Sequence, residues 1–132
     1  MSAATLIYNQ LATVQGYTVM PDLRNAAQEL TSGVIVIYEI KSEDMLDAIS
    51  PSISIWKSSI DVYILAATLK DASDTLKQIT TDINGITWSH GGETAFTCKT
   101  VGASHGYLEE STPGAADRTR YSILNLLMFH QN

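Results

Sequence analysis

The sequence predicts an α+β domain: a mostly antiparallel sheet with two main helices packed on one face, plus a β-hairpin. Three observations lead there. Two segments place apolar residues at helical three-to-four spacing, several others show β-branched or alternating patterns, and hairpin-length links dominate after the second helix. The resulting order is α-β-β-β-α-β-β-β, without internal repeats. At 132 residues, residues 1–132 form one domain, and a chain of this size buries roughly two thirds of its unfolded surface without needing disulfides.

From Ser2 to about Gln15, Ala3, Leu6, Ile7, Leu11 and Val14 form one stripe, with Ser2 as N-cap and Gly16 as stop, which predicts an amphipathic helix. Tyr17-Thr18-Val19-Met20 then runs into Pro21-Asp22 and reads as a short edge strand. Residues 22–32 lack an apolar stripe and read as loop. Val34 to Ile40 is a β-branched run, apolar on both faces in its first half, as a buried strand requires. Residues 41–52 are polar, acidic and closed by Ser50-Pro51-Ser52, so they are expected to be a loop. Between Ile53 and Ala67, the positions Trp56, Ile60, Val62, Ile64 and Ala66 share one parity, which predicts a long strand with one core face.

Thr68 is a good N-cap for a second helix whose stripe is Leu69, Ala72, Leu76, Ile79 and Ile83, closed by Asn84-Gly85. Gly91-Gly92 separates 86–90 from 94–101 as a hairpin turn. Residues 102–118 hold several Gly, Pro and small polar residues and are expected to be a long acidic loop, followed by a last strand from Thr119 to His130.

The charge balance, fourteen acidic against eight basic residues and a formal −6, disfavours a protein that grips nucleic acid through its phosphates. No apolar run approaches the ~20 residues of a membrane span, and the N-terminal residues lack signal-peptide character, so the chain reads as cytosolic when made.

Chemistry has no visible carrier. His90, His105 and His130 lack metal-ligand spacing, and no nucleotide-binding or nucleophile-elbow glycine pattern occurs, so neither metal nor cofactor is expected. His90 and Glu93 flank the glycine turn and read as a solvated cross-strand pair, with a weak acid-base pair as the sharper alternative. The lone Cys98 reads as a structural thiol. Two acidic groups, Glu43, Asp44, Asp47 beside Glu39, and Glu109, Glu110, Asp117, are either solvated loops or a surface that repels a passing polyanion. The final strand is apolar on both parities, so one face needs a cover, either a long loop folded over it or another subunit; the second is favoured, with Leu124, Leu126 and Met128 expected to form a subunit interface.

The layout as a whole resembles the tail-terminator, or tail-completion, proteins of long-tailed bacteriophages. The features that carry the resemblance are Tyr17-Thr18-Val19-Met20-Pro21, the Val34 to Ile40 strand, the Trp56 to Ala66 strand through Asp61-Val62-Tyr63, the Leu69 to Ile83 helix and the closing Arg120-Tyr121-Ser122-Ile123. They span nearly the whole chain in order. The resemblance implies a structural virion protein without catalytic activity that forms a homo-oligomeric ring, usually a hexamer, on the tail tube. Its implied partners are the major tail-tube protein and a head-side neck or stopper protein, with DNA passing through the ring without specific binding. A head-tail stopper, a small ligand-binding regulatory domain and an enzyme using His90 and Glu93 are the rival readings.

Overall fold

The structure, a computed structural model, describes residues 2–20, 34–50, 53–66, 68–108 and 119–131. The chain is mixed α+β and dominated by one curled six-stranded sheet.

Helix α1 (Ser2–Tyr8) widens into a π-helical segment over Asn9–Val14, where the Gln15 amide donates to the Gln10 carbonyl five residues back at 3.0 Å. A regular helix to Gln15 is therefore not what forms. Widening the turn shifts the buried face, so Gln10 is drawn inward to 5% exposure while Val14, expected on the apolar stripe, stands 64% exposed.

Strand β1 (Thr18–Met20) pairs in parallel with Ile35–Ile37 of β2 (Val34–Ser50). Strand β2 then pairs antiparallel with β3 (Ile53–Ala66) from Val34↔Ala66 to Ser50↔Ile53. The expected loop over 41–52 is thus a strand as far as Ser50. Its polar side chains are compatible with a ladder because the segment lies at a sheet edge, mostly in solvent, and three register irregularities interrupt it. The turn positions Pro51 and Ser52, the loop expected over 22–32 and the Pro21-Asp22 link lie outside the described residues.

Helix α2 (Leu69–Ile83) starts where the Thr68 hydroxyl accepts from the Asp71 amide at 3.2 Å. It buries Ala72, Leu76, Ile79 and Ile83. Past its end, the Gly85 amide donates to the Cys98 carbonyl at 2.8 Å, and Asn84 Oδ1 accepts from the Thr100 amide at 3.0 Å. These bonds fasten the helix exit to β5 (Glu93–Leu108).

Strand β4 (Trp88–His90) pairs with the start of β5 across Gly91 and Gly92, whose φ values of +61° and +82° suit the two left-handed positions of a tight turn. The expected loop over 102–118 is a strand as far as Leu108, because β5 follows β6 (Thr119–Gln131) in register to Leu108↔Thr119. The remaining 109–118 lie outside the described residues. The sheet order is β1-β2-β3-β6-β5-β4, antiparallel except for the β1–β2 pair.

One core cluster joins Leu6, Ile7 and Leu11 of the first helix, Leu76, Ile79 and Ile83 of α2, and the alternate sheet positions Val36, Ile60, Val62, Ile64, Leu124, Leu126 and Met128. Leu124, Leu126 and Met128 are at most 2% exposed and belong to this core, which corrects their expected place at a subunit interface. Both parities of β6 are apolar, and the helices cover this one. The other parity is not wholly uncovered either: Ile35, Ile37 and Leu65 are buried at 5%, 2% and 0% exposure.

Candidate functional site

Among the described residues, no group of three or more His, Cys, Asp or Glu side chains is placed to hold a metal ion, and no helix is long and apolar enough to cross a membrane. Cys98 is fully buried, and burial pushes its thiol up to about 12, so the thiolate that a nucleophile needs is suppressed. His90 and Glu93 stand directly opposite each other in the hairpin register, on a solvent-facing turn. His130 instead points into the core, where its Nε2 lies 2.7 Å from Ser58 Oγ. His105 Nδ1 lies 2.7 Å from Ser122 Oγ. The three histidines thus serve three separate places in the fold.

The surface is more informative than these side chains. Glu39, Asp61, Asn125 and Gly102 fall in one cross-strand row over β2, β3, β6 and β5. Asn125 Nδ2 donates to Asp61 Oδ1 at 2.7 Å, and the Lys41 ammonium bridges Glu39 at 3.2 Å and Asp61 at 3.7 Å. Tyr63 OH completes the row by donating to Glu39 Oε2 at 3.3 Å. The hydrogen bond to Glu39 raises the Lys41 ammonium above its ordinary value, and burial is the main cause that raises the Tyr63 phenol. A row of this kind pins the register of four strands on a face flanked by Ile123 and Leu127. Sequence reading misses it because its members lie far apart along the chain.

Both lateral edges of the sheet are only partly covered by described strands. Strand β1 covers β2 at Ile35–Ile37 alone, and β4 covers β5 at Glu93–Ala95 alone. The helix exit occupies the next stretch of β5, through the Phe96 and Cys98 carbonyls and the Thr100 amide. Beyond it, among the described residues, no strand pairs with the outer edge of β5 over 101–108.

The open β2 edge is the acidic one. Glu43, Asp44 and Asp47 lie on it as part of the strand, with Asp44 opposite Lys57 and the exposed Met45 and Leu46 between the acids. Glu109, Glu110 and Asp117 lie outside the described residues. Beside the open β5 edge runs a groove of about 520 Å³ between that strand and α2, with Leu76, Val101, Ala103 and Leu124 supplying apolar surface and Lys77 and Thr80 on the helix side. An unpaired strand edge can take up a strand of another polypeptide, and an apolar groove can take a side chain or a small ligand.

No protein-family model matches the chain, and no curated protein matches it in sequence.

Proposed function

We propose that the protein is a structural virion component, a tail terminator that forms a ring, hexameric in the resembling family, on the phage tail tube. The ring ends tube polymerisation and presents the surface that joins the tail to the head-side neck. In this reading both helices cover one face of the sheet and the hairpin closes one corner. The observation that supports it best is that, among the described residues, one sheet carries two unlike, partly open edges. Unlike edges favour head-to-tail contacts between copies, and such contacts close into rings when the rotation between neighbours permits. The partners are further copies, the major tail-tube protein and the neck or stopper protein, and the location is the virion at the head-tail junction. A net charge of −6 per subunit suits a ring through which DNA slides without being held.

The groove between α2 and β5 favours a second reading, a small ligand-binding regulatory domain. A head-tail stopper shares the assembly chemistry of the first. Native mass spectrometry separates ring from regulator: a discrete oligomer, alone or on tail tubes, supports the ring, and a monomer or dimer in both conditions refutes it. Addition of the protein to polymerising tail-tube subunits separates terminator from stopper, because only a terminator shortens and caps the tubes.

A further inference from the structure

We infer that adjacent copies join by docking the acidic β2 edge of one copy, at Glu43 to Asp47, into the groove and open β5 edge of the next. This rests on the ring reading and specifies its subunit contact. Three observations carry it.

The two surfaces complement each other in chemistry. The β2 edge presents Met45 at 57% and Leu46 at 52% exposure, flanked by Glu43, Asp44 and Asp47. The groove presents Val101 at 63% exposure beside the buried Leu76 and Leu124, with the exposed Lys77 on its helix side. Among the described residues Lys77 forms no ion pair, only a longer-range attraction to Asp74, whereas Lys41 and Lys70 are paired directly. Apolar tip meets apolar groove, and acid meets base.

The two surfaces also lie at opposite corners. In the sheet register, Met45 aligns through Trp56 and His130 with Ala95, at the end of the sheet where β5 begins. The open β5 stretch runs from mid-sheet to Leu108↔Thr119 at the other end. One copy therefore cannot satisfy its own groove, and each copy offers one of each surface, as a closed head-to-tail ring needs.

Finally, the two edges are guarded differently. Strand β2 carries acidic residues and three irregularities, the usual protection against indiscriminate strand pairing. Over 101–108, β5 holds no Asp, Glu, Lys or Arg. An edge without charges lacks that protection, which leaves it open to pairing with a specific neighbour.

The test uses two full-length variants whose altered side chains are all exposed, with melting curves to check folding. The first is M45D with L46D, and the second is K77E with V101D. Alone, each should lose the parent oligomer by at least about ten-fold in native mass spectrometry. Mixed in equal amounts they should give a dimer, because one retains a groove and the other an edge. A third variant pairs Leu46→Cys with Val101→Cys in a C98S background, and oxidation should link neighbouring copies covalently up to the size of the ring. If either charge variant assembles like the parent, if the mixture gives no dimer, or if no cysteine link forms, the docking inference is wrong while the ring reading stands. Variants that assemble normally but no longer bind tail tubes would assign the groove to the tube protein and overturn it equally. A parent that stays monomeric with and without tubes removes both.

Discussion

Ser58 Oγ and His130 Nε2 lie 2.7 Å apart, hydrogen-bonded inside the core although 72 residues separate them in sequence. They come from adjacent strands and occupy one end of the helix-covered face, whose middle is apolar and whose other end carries the buried Ser122. Burial lowers the His130 pKa from its ordinary value, so folding favours the neutral ring.

That direction fixes the pH dependence. The unfolded chain binds more protons than the folded one between the depressed folded value and the ordinary histidine value of about 6.5, so stability rises with pH in that window. The contribution is complete above the ordinary value and fades as pH falls through it towards the folded value. Thermal unfolding should show a lower Tm at pH 5 than at pH 7.5, and His130→Gln should flatten this difference. An unchanged slope in His130→Gln would assign the pH effect to other groups.

Removing the hydroxyl partner should matter more than its size suggests. Ser58→Ala takes away a fully buried hydrogen-bonding group and should cost about 1–3 kcal/mol in denaturant unfolding at neutral pH. A cost below a few tenths of a kcal/mol would mean that His130 is satisfied without Ser58.

The core assignment of β6 separates folding from assembly. Leu126→Ala should destabilise the isolated subunit by about 2–5 kcal/mol, as should Leu76→Ala on the facing helix, because both remove buried atoms from one cluster. If the isolated Leu126→Ala subunit melts like the parent but fails to assemble, the residue belongs to an interface after all.

Gly102 tests the polar row. A Cβ there would meet Asn125 Oδ1 at 3.2 Å, and the Asn125 amide is held by its bond to Asp61. Gly102→Ala should therefore cost about 1 kcal/mol in the parent and become neutral or stabilising in Asn125→Ala, where the obstacle is gone and only the entropy gain of replacing glycine remains. Equal effects in the two backgrounds would show that Asn125 moves aside freely.

The glycine hairpin should tolerate change. His90 and Glu93 face each other on an exposed turn, so replacing both by alanine should alter stability by less than about 0.5 kcal/mol and leave oligomer formation unchanged. Normal ring formation and tube binding with lost tail completion would instead give the pair a role of its own.

By itself the sequence determined the order of the elements, because each is written in local chemistry. The Leu76, Ile79, Ile83 stripe and the Thr68 cap specify α2, and Gly91-Gly92 specify the hairpin turn whatever surrounds them. Tertiary structure alone decided how far the strands run and which way they face. Residues 41–50 and 102–108 look like loops because strand signals are side-chain signals, whereas their extended state follows from pairing with the backbones of β3 and β6. The two parities of β6 are equally apolar, so nothing in Leu124, Leu126 and Met128 distinguishes them from Ile123, Leu127 and Phe129 until two helices, distant in sequence, settle on one side. The open edges and the Glu39–Asp61–Asn125–Gly102 row arise in the same way, since cross-strand neighbours are chosen by register and register is a property of the assembled sheet.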